Sequence, residues 1–114
     1  MTPSDTPDAR ISRTPLQELP LVTLHRHTLV RHISINHPEM QGKEALVLAT
    51  LESPSIIASG NPGTNNLVFV NHQETKANGS PLVVVVNQPK AIVCTALYHR
   101  GFRTVAEERV LWRP

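Results

Sequence analysis

Aromatic side chains are scarce in this 114-residue chain: Phe69, Tyr98, Phe102 and Trp112 are all it has. Four scattered rings exclude a broad platform on which single-stranded bases could stack. A lone cysteine, Cys94, rules out an internal disulfide. Inside the apolar run from Ala91 to Leu97 it reads as a small buried hydrophobe rather than a nucleophile. Long apolar runs are absent too. The longest, Leu82 to Val86, suits a short strand and falls far below the roughly twenty residues of a membrane-spanning helix. With neither a basic start leading into an apolar run nor an Arg-rich, acid-poor leader, the sequence reads as cytoplasmic, with no membrane partner.

Charge of one sign is also lacking. The net charge is +2, divided as −1 over residues 1–20, 0 over 21–58 and +3 over 59–114. A mildly basic second half is compatible with a polyanionic partner but does not identify one.

Pro3, Pro7, Pro15 and Pro20 fall among Ser, Thr and Asp without apolar periodicity. This composition predicts a flexible arm over residues 1–20, dispensable for folding, and a single domain over 21–114. Beyond the arm, apolar residues at helical spacing predict a helix from about Leu24 to Asn36, with Leu29, Val30 and Ile33 on one side. His37-Pro38 breaks it, and Pro38-Glu39 is a favourable start for a second helix running to Leu51. Its buried stripe would be Val47, Leu48 and Leu51. The period then changes to short β-branched runs at Ser55–Ser59, Leu67–Val70, Leu82–Val86 and Ala91–Leu97, which predict four strands. Turn-rich connections imply an antiparallel meander. Val83 to Val86 lack polar alternation, as a central strand covered on both faces should. The fold class is therefore α+β, with one or two N-terminal helices packed on a curved antiparallel sheet of about four strands.

Chemistry concentrates between His32 and Met40, which reads His-Ile-Ser-Ile-Asn-His-Pro-Glu-Met. Imidazole titrates near neutrality, so His32 and His37 form a candidate acid–base pair if the break at Pro38 turns the chain back. The bland reading is a surface helix with solvated histidines. A metal site is not expected: the spacing of His25, His27, His32, His37 and Glu39 fits no zinc signature, and on a helix His25 and His27 would point about 200° apart.

In their order, His32-Ile33, His37-Pro38-Glu39-Met40, Leu51-Glu52-Ser53-Pro54-Ser55-Ile56-Ile57, Leu82 to Val86 and Val93-Cys94-Thr95-Ala96 resemble the phage-associated branch of the barnase, EndoU, colicin and RelE-like nuclease superfamily. The resemblance spans residues 24–98. It implies RNA as partner and cleavage without metal or other cofactor, the ribose 2′-hydroxyl attacking the adjacent phosphate. His32 and His37 match the family's acid and base positions. Thr95 matches its last-strand hydroxyl, while Arg31, Lys90 and Arg100 are candidate cations for the phosphate. An inhibitor or antitoxin protein is a further partner that such a family implies. One departure stands out: the family places an aromatic two residues after the threonine, where this chain has Leu97 followed by Tyr98. Tyr98, as a substrate-binding candidate, would share a face with Thr95 only across a bulge. The rival reading is a non-catalytic RNA- or protein-binding module of the same fold, phage-derived or toxin–antitoxin-like.

Overall fold

A computed structural model describes residues 9–114; residues 1–8, the start of the predicted arm, lie outside it. Residues 9–20 of that arm are built into the sheet. Ala9–Arg13 forms strand β1, paired antiparallel over its full length with β2, Leu21–His25. Between them Leu16 and Leu19 are buried, and the Thr14 hydroxyl donates to the Leu19 carbonyl at 2.5 Å while accepting from the Leu16 N–H at 3.2 Å. The prolines here shape a tight connection rather than free the chain. Arg10 in turn reaches Glu44 at 3.2 Å, tying the edge strand to the helical layer.

The first predicted helix starts later than its apolar spacing suggests, because Leu24 belongs to β2. Helix α1 runs without interruption through Arg26–Thr28, a wide π-type turn at Leu29–Ile33, and Ser34–Asn36. The wide turn, closed by the Ser34 N–H on the Leu29 carbonyl, spans five residues instead of four. Leu29 and Ile33 are buried, whereas Val30 and Ile35 are 57% and 69% exposed, so the expected three-residue stripe narrows to two.

The second predicted helix is divided. Pro38–Met40 makes one 3₁₀ turn, Gly42 takes a left-handed φ of 77°, and only then does α2 run over Glu44–Glu52. A residue with a side chain would be strained at that φ, so the glycine sets the division. Val47 and Leu51 face the core as expected, with Leu48 packed at its margin.

The four predicted strands are all present as β3 (Ile56–Ser59), β4 (Asn66–Thr75), β5 (Pro81–Asn87) and β6 (Ile92–Tyr98). A short β7 (Val110–Trp112) follows. Among the described residues the sheet has seven strands in the order β1-β2-β6-β5-β4-β3-β7. It is open and mixed, since β2 lies parallel to β6 while the other pairs are antiparallel. The architecture is α+β with two helices, and with more strands than the four expected.

Both helices cover one face of the sheet. Leu29, Ile33, Met40, Val47 and Leu51 meet Val22, Leu24, Phe69, Leu82, Val84, Val86, Val93 and Ala96 there. On the other face Val68, Val70 and Val83 form a smaller cluster under Phe102. Thus β5 is covered on both sides, as its unbroken apolar run implies. No helix of the described residues is long and apolar enough to cross a membrane.

Candidate functional site

Strand register decides which predicted site residues can meet. Val84 pairs with Ala96 and Leu82 with Tyr98, which sets Ala96 and Tyr98 on the helix-covered face. Val85 pairs with Thr95 and Val83 with Leu97, which sets those two on the opposite face. A bulge does occur in β6, where Val93 pairs with Val86 and leaves Cys94 unmatched, but it precedes Thr95. It therefore cannot bring Thr95 round to Tyr98. Thr95, expected to serve the same phosphate as the histidines, has the sheet between itself and the helices.

The imidazoles are held separately. His32 is exposed on α1, with Asn36 donating to its backbone carbonyl at 2.9 Å and lying 3.5 Å from its Nδ1. His37 ends the helix: its N–H reaches the Ile33 carbonyl at 2.7 Å, and its φ of −134° turns the chain into the Pro38 turn. The His37 ring is part-buried, with Nδ1 4.0 Å from a Glu39 carboxylate oxygen. The structure gives each ring its own neighbour and no hydrogen bond between the two.

The three cations are dispersed as well. Arg31 is exposed on α1, Lys90 is exposed in the β5–β6 turn, and Arg100 is exposed just beyond β6. Lys90 and Arg100 flank opposite ends of a seven-residue strand. At about 3.3 Å per residue that is a separation of roughly 20 Å, too far to share one phosphodiester.

Tyr98 is the predicted residue that anchors a polar group. Its hydroxyl accepts from Lys43 Nζ at 2.9 Å and donates to Glu74 at 2.9 Å. The Lys43 ammonium also sits 4.7 Å from the ring centroid, and that of Lys76 6.0 Å. Three elements converge to build this: the loop before α2 supplies Lys43, the end of β4 supplies Glu74, and the end of β6 supplies Tyr98. Glu39, on the Pro38 turn and paired with His37, is close enough for its charge to act on Lys43.

Electrostatics hold this group in defined protonation states. The hydrogen bond to Tyr98 raises the Lys43 pKa above its usual range, against the opposing effect of burial and with help from Glu74 and Glu39. Burial raises that of Tyr98, opposed by the Lys43 hydrogen bond and assisted by Glu74. At neutral pH Lys43 is a fixed cation and Tyr98 a proton-bearing hydroxyl.

Sequence reasoning missed Lys43, Glu74 and Lys76 because each comes from a different element with no local signature. Tyr98 standing one place later than the family pattern was the available clue. That displacement moves its ring from the Thr95 face to the helix face. No known protein family, curated protein or solved structure matches this chain.

Proposed function

We propose that this protein cleaves RNA without metal, as a divergent nuclease of the barnase, EndoU, colicin and RelE-like kind, using the lip at the end of β6 where Lys43 meets Tyr98, with His37 supplied by the neighbouring Pro38 turn. The observation that carries the reading is the Lys43–Tyr98–Glu74 hydrogen-bonded group, with the Pro38 turn that carries the His37–Glu39 pair packed against the same strand. Cleavage needs a proton acceptor for the attacking 2′-hydroxyl, a proton donor for the departing 5′-oxygen, and positive charge for the phosphorane oxygens. His37 takes the first proton, and the Tyr98 O–H turns from Glu74 to the departing oxygen and gives the second, while Lys43, already bonded to the Tyr98 oxygen, offsets the charge of the phenolate and of the phosphorane oxygens. Glu74 holds the Tyr98 hydroxyl in place before substrate arrives, and return of the proton from His37 to Tyr98 through solvent restores both groups. The O2′–P bond forms as the P–O5′ bond breaks, leaving a 2′,3′-cyclic phosphate and a free 5′-hydroxyl. His32 and Thr95 take no part.

Incubation with labelled single-stranded RNA in chelator tests this. Products ending in a cyclic phosphate are expected, reduced by about 10²-fold or more in His37→Ala and in Tyr98→Phe. His32→Ala and Thr95→Val should cleave like the wild type. Absence of cleavage by the wild-type protein, or a full rate in His37→Ala, refutes the proposal. The second reading, an RNA-binding module without turnover, is favoured by the closure of the Lys43–Tyr98–Glu74 hydrogen bonds on one another. Its signature in the same assay is retention of RNA without product.

A further inference from the structure

The end of the sheet where β3 turns into β4 and β5 into β6 carries a groove that the lip at Tyr98 does not use. Its larger chamber is a cavity of about 530 Å³ lined by the loop from Gly60 to Asn66 together with Gln88, Arg109 and Leu111. Its smaller chamber, about 160 Å³, continues onto the helix-free face between His99, Phe102 and Arg109, above Val68 and Val85. Gly60, Asn61, Asn66 and Arg109 line both, so the two are one groove. The larger volume lies within the usual range for small-molecule sites.

Its walls are fixed. The Gly60 N–H bonds the Asn66 carbonyl at 2.8 Å, and a Cβ on Gly60 would stand 2.7 Å from that oxygen, so only glycine permits the pinch. The Gln88 N–H bonds the Asn65 carbonyl at 2.9 Å and locks the second loop to the first. Arg109 donates to the Ser59 carbonyl at 2.8 Å and lies 5.3 Å from the Phe102 ring centroid. Neither partner is a carboxylate, so the guanidinium charge is not neutralised by them. His99 Nδ1 accepts the Gly101 N–H at 2.9 Å. In the neutral ring the proton therefore sits on Nε2, the remaining donor of a side chain that lines the smaller chamber.

The two chambers differ in chemistry. The smaller has a cation and an N–H donor, suited to phosphate. The larger has side-chain amides on Asn61, Asn66 and Gln88, each offering paired donor and acceptor atoms, opposite the half-exposed Leu111. Paired amide atoms match the hydrogen-bonding edge of a nucleobase, and leucine offers an apolar surface to its plane. We propose that the groove binds one nucleotide unit, its phosphate at Arg109 and His99 and its base among Asn61, Asn66 and Gln88. This site lies apart from the Tyr98 lip and does not depend on cleavage there.

The test is titration of the isotope-labelled protein with AMP, GMP, CMP and UMP, with a short single-stranded RNA, and with inorganic phosphate, followed by amide and side-chain NMR shifts. At least one mononucleotide should shift the Gly60–Leu67 backbone and the Asn61 and Gln88 side-chain amides saturably. Asn61→Ala should weaken it about five- to tenfold, the loss of one hydrogen bond. This variant keeps the backbone carbonyl that binds Thr64, so the loop remains formed. His37→Ala should leave the groove's affinity unchanged whatever happens to cleavage. Equal or tighter binding of the RNA places a strand residue in the groove; tighter binding of the mononucleotide identifies a free ligand. Absence of saturable shifts at about 10 mM nucleotide, shifts confined to the Tyr98 lip, or identical shifts with inorganic phosphate alone overturn the proposal.

Discussion

Replacing Tyr98 by phenylalanine removes a single oxygen that joins three chain segments. The hydroxyl makes two bonds, from Lys43 and to Glu74, each at 2.9 Å. Fully desolvated bonds to charged groups contribute about 1.5–3 kcal/mol each. Both partners here are only part-buried, so water recovers much of that, and a combined loss of about 1–2 kcal/mol is expected. The ring remains beneath the Lys43 ammonium, which limits the damage to the polar group. Urea unfolding at pH 7 should show a lower midpoint with unchanged slope.

Alkaline pH supplies a second readout. Tyr98 and Lys43 both have folded-state pKa values raised above their ordinary ones, so the folded chain holds these protons more tightly than the unfolded chain. The stabilisation is complete below the unfolded values, near pH 10, and is lost as pH rises through the folded ones. Wild-type stability should therefore fall above about pH 10, and the variant should lose much of that decline. Equal midpoints for the two proteins at pH 7 and matching declines above pH 10 would refute the network. A lower midpoint with unimpaired RNA cleavage would confirm the network and remove Tyr98 from the chemistry.

Among the described residues the buried Ser12 hydroxyl has no hydrogen-bond partner, so Ser12→Ala should stabilise the fold by about 1 kcal/mol, read as a higher thermal midpoint; a lower one would mean the hydroxyl is satisfied. Leu16 and Leu19 are 7% and 5% exposed. Leu16→Ala or Leu19→Ala should each cost about 2–4 kcal/mol in urea unfolding, and an unshifted midpoint would mean that the segment is not docked. Ala91 has a φ of 55° at the end of the β5–β6 turn, so Ala91→Gly should raise stability by about 0.5–1 kcal/mol, relief of strain exceeding the added entropy of the unfolded chain. A destabilised glycine variant would contradict that geometry.

The four central strands were legible because β-branched runs such as Val83–Val86 fill two buried faces at once, leaving no competing pattern. The edge strands were not. In β1 the residues that face the helical layer are Arg10 and Ser12, while Ile11 is 67% exposed, so its polarity pattern runs opposite to the usual one. In β2, Leu24 falls with Ile35 on a second side of a helical projection, and strand pairing with β1 overrides that pattern. Proline content suggested a free arm, but proline only forbids certain backbone hydrogen bonds; Leu16 and Leu19 decide whether the segment docks.

By itself, the sequence determined the α+β class, the break at His37-Pro38 and the doubly covered strand β5. Each follows from local rules: backbone geometry fixed by proline, or a run of apolar residues with no exposed side. The tertiary structure alone decided that no bulge falls between Thr95 and Tyr98 to bring them together, and that Lys43 and Glu74, thirty-one positions apart, meet at one hydroxyl. Those outcomes depend on strand register and on where loops cross the sheet. A single bulge reverses which side chains share a face, and the bulge in β6 is set by its pairing with β5, which no window of sequence contains.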